Sequence, residues 1–378
     1  MRKAVRNVVA PLVVLIALLL VVVYARYGGG QPYPDLSTKP LVDAAQMEKV
    51  LEYPEPIGNV AVNREGRVFF TVHPESRPTG NKLLEFQNGV IKAYPSEAAQ
   101  KDLFDAVMGV AISVDNTLWT IDHGNHGVGT ARLLAFDLAT NQVIFDYRFP
   151  SEIAPLGSFL QALQVDSKGQ FAYIADVSFW RKSPAIVVVD VKNRRSWRAL
   201  DGHPSVMPQD WIVRNPIKDM VFFGGLVALK AGVDGIAVSK DDRYVVYGAM
   251  AHDTLYRIPT SALATAEAAA AAAGQVQAIG RKPLNDGFAM DVEGNVFITD
   301  VEHSGVARMT PQGKLDTMIR DDKRIRWADA LSFGPDGWLY IADSAIPEQM
   351  LRSKEHIASR APYFIYRFKP GTQGIPGQ

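Results

Sequence analysis

The chain contains no cysteine. Disulfides, thiolate metal sites and cysteine nucleophiles are therefore excluded, and cysteine usage leaves the redox compartment open. Its basic residues are not clustered enough to suggest nucleic acid, for which a positive footprint is the first requirement. Lys and Arg together number 40 and Asp and Glu 40, so the formal charge is zero. Arg2, Lys3, Arg6 and Arg26 stand in the first 30 residues with no acid beside them, which leaves 36 basic against 40 acidic residues in the remainder. A Gly-rich phosphate loop, a nucleophile elbow and a His-Glu-x-x-His helix are all missing.

Long apolar runs are equally scarce, with one exception. Val8 to Ala25 is 18 residues without a charge, within the ~17–25 that cross a bilayer. Three positive charges precede it, which leaves the N-terminus cytoplasmic and sends the rest outward. A cleaved signal peptide is the competing reading, with a shorter apolar core and a small-x-small exit; here the exit reads Val23-Tyr-Ala-Arg-Tyr-Gly-Gly-Gly. The expected organisation is residues 1–26 as a transmembrane anchor or signal segment and 27–40 as a flexible Gly/Pro-rich linker. Residues 41–378 then form one folded domain outside the cytoplasm, periplasmic or extracellular, and secreted if the segment is cleaved.

What is abundant is a repeat. Six segments share a small or polar residue, an apolar run, a tight polar turn and a β-rich stretch. They begin at Gly58, Met108, Gln161, Asp234, Asp286 and Asp329, with spacings of 50, 53, 73, 52 and 43 residues. This period predicts an all-β, six-bladed β-propeller. The longest spacing holds Asp201–Val233, expected as a loop inserted between blades. The sixth segment stops after its third strand, while Met47–Tyr53 forms a strand-like run ahead of the first. That run is expected to supply the last blade's outer strand and close the ring, leaving few open edges. The Ala-rich stretch 264–273 reads as a surface helix.

In this topology the residue opening each segment lies at the lip of the central channel. All seven histidines (73, 123, 126, 203, 252, 303 and 356) fall in loops on that same face. Asp234, Asp286 and Asp329 converge from consecutive blades, where mutual repulsion is costly unless something positive offsets it. A divalent cation such as Ca²⁺ with those three as ligands is one solution; carboxylates bonded to neighbouring backbone amides are the other. Asp122–His123 and His303 are candidate proton-moving groups. Gln161, Trp180, Arg181, His252, Asp253 and Glu302 are candidate ligand contacts on the same face. Tryptophan there covers a ligand or packs over neighbouring loops.

Several stretches resemble the major royal jelly protein and yellow family in its bacterial form. They are Leu118-Trp-Thr-Ile-Asp-His-Gly, Phe171-Ala-Tyr-Ile-Ala-Asp, Ala185-Ile-Val-Val-Val-Asp, Ser196-Trp-Arg, Leu255-Tyr-Arg-Ile-Pro-Thr-Ser-Ala-Leu and Asp286-Gly-Phe-Ala-Met-Asp. The resemblance spans roughly residues 42 to 370 and implies a six-bladed surface or secreted propeller, with dopachrome-type conversion or amine binding in the channel. A looser similarity to gluconolactonase- and regucalcin-like propellers implies a divalent cation at the channel mouth. Asp234 and Asp286 match that pattern, but Gly58 stands where those enzymes place a glutamate. Three functions follow as alternatives: cation-dependent lactone hydrolysis or isomerisation, non-catalytic binding of small amines or aromatics, and a protein-interaction platform built on the insertion and the 350–361 loop.

Overall fold

The computed structural model describes residues 2–378; Met1 and the side chains of residues 2–9, including the charges of Arg2, Lys3 and Arg6, lie outside the described residues. Six four-stranded antiparallel sheets are arranged as the blades of a β-propeller. The innermost strands, such as Val107–Ile112 and Val233–Val238, are buried at every position, because each is covered by a neighbouring blade on both faces. Outer strands such as Gln142–Arg148 are largely exposed. This gradient is why the inner strands read as unbroken apolar runs and the outer ones as mixed sequence.

The apolar clusters lie between blades. Leu51, Phe70 and Ile365 fill the seam between the last blade and the first; Tyr173, Trp197 and Tyr247 fill the third and fourth; Phe297, Leu331 and Phe333 the fifth and sixth. Closure follows the expected scheme. Glu48–Tyr53 pairs antiparallel with Tyr363–Phe368, with Leu51 opposite Ile365 and Tyr53 opposite Tyr363. The Ala-rich stretch contributes a short helix, Ala266–Ala270, capped by the Thr265 hydroxyl.

Two features differ from the sequence expectation. The long insertion is a cap rather than a bare loop: it holds a two-residue hairpin, Val221–Phe222 with Val227–Ala228. Its Val213, Met220 and Leu229 pack with Trp327 and Ile346 over the channel mouth. The stretch expected as a flexible linker is tied down. Gln31–Pro32 pairs with Trp211–Ile212 of the cap, the Tyr33 hydroxyl donates to the Lys282 carbonyl at 2.7 Å, and Thr38 and Thr317 exchange two hydrogen bonds of 2.8 Å. Backbone polar groups left over at the cap and at the outer edge of the fifth blade supply these partners.

The opposite end of the channel is shut by residues 374–378. Ile112 N–H donates to the Gly377 carbonyl and Phe333 N–H to that of Gln378, both at 2.8 Å. Gly377 has φ +92°, and a Cβ there would stand 2.4 Å from that of Ile112, so only glycine fits this plug. The channel is thus a blind cavity open on the capped face.

Candidate functional site: an acidic floor under apolar walls

In five of the six blades the lip residue sits where the inner strand is bulged, and Asp286 stands just ahead of its regular strand Phe288–Met290. The register with the second strand shifts between Leu160 and Leu163, Val233 and Gly235, and Ala328 and Ala330. A bulge of this kind re-aims a side chain, and here the skipped positions include Gln161, Asp234 and Asp329. Gly58 and Met108 occupy the same place in the first two blades.

Asp286 is the hub of the floor. Its Oδ1 accepts from Gln161 Nε2 at 2.9 Å and its Oδ2 from Trp327 Nε1 at 2.7 Å. Burial pushes its carboxyl up to about 7 against the opposing hydrogen bonds from Trp327, Asp234 and Gln161. Asp234 is fully buried and faces no N–H or O–H donor. Burial, then the charges of Asp286 and Asp329, raise it well above the carboxylate range. A bond between Asp234 and Asp286 would require one of them to hold its proton, and the two titrate as a pair. Asp329 is raised in the same way by burial and by Asp286. Its Oδ2 stands 3.5 Å from His73 Nε2. His73 accepts the Glu75 N–H on Nδ1 at 3.1 Å, so Nε2 carries the hydrogen. Burial lowers the His73 imidazole to about 4 and keeps it neutral.

Above this floor lies a cavity of roughly 780 Å³, its open mouth included. Phe159, Phe179, Trp180, Phe222, Met250 and Met350 form much of its wall, and His126 and Glu75 stand at one side. His126 Nε2 meets Glu75 Oε1 at 2.8 Å and its ring stacks on Phe159 with centroids 4.7 Å apart. Burial alone would raise Glu75; the hydrogen bond and charge of His126 outweigh it and hold the carboxyl low.

Of the residues singled out from sequence, Gln161, Trp180, Asp234 and Asp286 line this cavity, and Asp329 lies beside its floor. The others do not enter it. Asp122 is committed to the backbone N–H groups of Asp105, Ala106 and Gly124. Asp176 and Asp343 hold Phe159 N–H and Trp327 N–H in the same way at the corresponding positions of other blades. Asp122 is thus one of a set of strand-end clamps. His123 packs on Phe159 and accepts the His126 N–H on Nδ1. His303 bridges Asp300 and Asp35 at the edge of the fifth blade. His252 and Asp253 bond to Thr254 and Gln209 beneath the cap. Glu302 accepts the Arg214 N–H, and burial pushes it up to about 7. The Arg181 carbonyl accepts from Arg26. Sequence reasoning did not assign roles to His73, Glu75, His126 and Trp327. The first three stand in channel-face loops, and Trp327 precedes Asp329 by two positions, which is the available signal.

The fit to a divalent cation is incomplete. Asp234 offers two orphaned oxygens and Asp329 one, but both Asp286 oxygens are taken by N–H donors, and Ca²⁺ takes ~6–8 oxygen ligands. Among the described residues no group of three or more His, Asp or Glu is placed to hold a metal ion.

An acidic lip beneath a capped, apolar mouth defines a six-bladed propeller with a blind cavity on its axis. The family described as "Major royal jelly protein" matches residues 106–347, and the chain belongs to that family. No curated protein matches it. Among solved structures it is similar to a luciferin-regenerating enzyme, with 10% identity, TM-score 0.57, and 88% of this chain and 97% of that one covered. The regucalcin of Agrobacterium tumefaciens, described as a calcium-binding protein, gives 14% identity and TM-score 0.55 over 90% and 98%. A gluconolactonase from Xanthomonas campestris gives 12% and 0.54 over 90% and 96%. At such identities the likeness is one of fold.

Proposed function

We propose that the protein is a membrane-tethered propeller, held outside the cytoplasm, that binds a small molecule with an apolar or aromatic body and a cationic end in the channel mouth. The observation that carries this reading is the buried Asp234–Asp286–Asp329 set beneath aromatic walls. An ammonium group reaching Asp286 replaces the shared proton, so that both carboxyls of the pair ionise against a positive partner; a buried charge tolerates its site only when paired in this way. The aromatic walls take the body of the ligand. The contacts of Arg26 and Tyr27 with the third blade support an anchor that stays attached. Calorimetric titration of the full chain with tyramine and tryptamine tests the reading. Binding that strengthens from pH 6 to pH 8 and is lost in Asp286→Asn is expected; equal binding by Asp286→Asn overturns it.

A second reading, cation-dependent lactone hydrolysis or isomerisation, has the orphaned oxygens of Asp234 and Asp329 in its favour. It also has the calcium binding and gluconolactonase activity named for the two fold neighbours. It requires Asp286 to give up its N–H partners. Titration with Ca²⁺ after chelation separates the two: micromolar Ca²⁺ binding lost in Asp234→Asn supports a metal, and heat only from the amines supports the first reading.

A further inference from the structure

The mouth of the cavity carries apolar side chains that the fold leaves in solvent. Trp180 is 45% exposed, Phe223 64% and Leu351 56%, and all three line the cavity. Leu156, 71% exposed, lies beside them, since its neighbour Gly157 donates to the His126 carbonyl and its own Cα abuts Gly127. These residues come from loops of the third blade, the cap and the sixth blade, so they share one face without sharing an element. A monomeric soluble surface rarely concentrates large apolar groups around one opening.

The same face receives the apolar helix. Helix α1, Arg2–Tyr27, contains an 18-residue window from Ala10 to Tyr27 with mean hydropathy 2.3 and none of it buried. Its last turn is seated on the cavity rim. The Tyr27 hydroxyl donates to the Trp180 carbonyl at 2.7 Å and Arg26 to that of Arg181 at 2.9 Å. The Tyr27 ring packs against Phe179 and Trp180, each with centroids 5.8 Å away. Lys182 lies over the rings of Tyr27 and Phe179, and Lys230 holds the Gly28 carbonyl at 2.6 Å. Without a free stalk, the helix cannot swing the propeller far from the plane in which it inserts.

Charge agrees. Arg26, Arg181, Lys182 and Lys230 gather at the helix exit, and Lys218 sits over Phe222 on the cap, near Arg352. Asp210 pairs with Lys230, Asp219 faces Arg214 at 3.8 Å, Asp201 lies near Arg181 and Glu348 near Lys218, so basic and acidic groups are mixed around the mouth, with the cations at the helix exit. Aromatic rings and long basic side chains that snorkel toward the headgroups serve as anchors at either face of a bilayer.

We propose that the capped face lies against the bilayer holding α1, so that the cavity opens into the lipid phase and takes a ligand that partitions there: an amphiphile with an apolar body and one cationic end. This rests on the small-molecule reading above and adds the route and the class. The absence of cysteine gives a clean background for the test. In the full chain, Leu156→Cys, Phe223→Cys and Leu351→Cys each carry an environment-sensitive nitrobenzoxadiazole label, with Lys168→Cys, exposed on the opposite face, as control. The proteins are reconstituted in phosphatidylcholine vesicles containing phosphatidylglycerol. Blue-shifted emission, quenched by lipid-borne spin labels, is expected at the first three sites and absent at Lys168. Water-like emission at all four overturns the orientation, and is also the outcome if the face serves a protein partner.

The ligand class has its own readout. Dodecylamine is expected to bind the reconstituted protein roughly tenfold or more tightly than ethylamine, because each methylene withdrawn from water favours binding. Equal affinities overturn the class. Immersed labels with no amine binding at all leave the orientation standing and overturn the small-molecule reading instead.

Discussion

The indole of Trp327 donates to Asp286 at 2.7 Å, joining the lip of the fifth blade to the approach of the sixth. Trp327 is itself fixed from behind, because its backbone N–H is bonded to Asp343 at 2.9 Å. One fully buried carboxylate thus positions the donor that steadies another.

Trp327→Phe keeps the ring and removes the N–H. Asp286 then loses a hydrogen bond that favours its charged form, and its titration rises from about 7. NMR titration of the carboxyl carbons is expected to show that rise, with amine binding at pH 7 weakened and partly restored at higher pH.

Asp234 and Asp286 bear on stability with a definite sign. Both carboxyls titrate higher in the folded chain than the ordinary value of 3.8, Asp286 at about 7. The folded state therefore binds more protons than the unfolded one across that interval, and stability falls as pH climbs from about 4 to about 7. Asp234→Asn supplies a permanent N–H donor to Asp286 in place of the shared proton. Its melting temperature is expected to decline less than that of the wild type between pH 5 and pH 8.

His73 works in the opposite direction. Its imidazole is lowered from 6.5 to about 4 by burial, so the unfolded state binds the extra proton, and the contribution is lost as pH falls through that window. His73→Gln is expected to flatten the loss of stability between pH 6 and pH 4, read by chemical denaturation at each pH.

Removing the fully buried Asp343, 2.8 Å from the Arg326 guanidinium, orphans the backbone N–H groups of Arg326 and Trp327. Asp343→Ala is expected to cost about 3–5 kcal/mol in urea unfolding. Asp122→Ala is expected to destabilise as well, through its orphaned amides, while leaving amine affinity in the surviving folded protein unchanged. A selective loss of binding there would return Asp122 to the site.

Leu51 is 5% exposed in the seam that the closing strand makes with the first and last blades. Leu51→Ala is expected to cost about 2–5 kcal/mol and to make the ring open before it melts. Hydrogen exchange should show early loss of protection in Tyr363–Phe368.

The blades were legible because each inner strand must be apolar on both faces and must turn tightly at the closed end. Those constraints repeat in sequence as Gly235-Ile-Ala-Val, Gly287-Phe-Ala-Met and Ala330-Leu-Ser-Phe. The lip residues were legible for the same reason. What the pattern could not carry is the direction of side chains in irregular loops. Asp122-His123 and His303 share the channel face with His73, yet only loop geometry sends His73 inward and His303 toward Asp35. The repeated Asp that ends Leu118–Asp122, Phe171–Asp176 and Leu339–Asp343 was visible as a series. Each of these closes the second strand of its blade and bonds backbone N–H groups of the segment entering that blade, whereas the lip series opens the innermost strands and meets at the axis. The cap and the strap of residues 28–42 escaped because a few edge hydrogen bonds decide them, and those leave no periodic trace.

The pairing of Glu48–Tyr53 with Tyr363–Phe368 also sets an order of events during synthesis. The outer strand of the last blade comes soon after the apolar helix and ahead of every other blade strand, so it leaves the ribosome early and its partner emerges late. Until then the first blade has an unpartnered flank and Leu51 nothing to cover it. Long-range closure of this sort is slow and leaves sticky surface on view. If that helix is in the bilayer by then, as proposed above, it keeps the early strand from drifting away and holds neighbouring chains at a distance. Tethering would in that case serve the newborn chain before it serves the finished one.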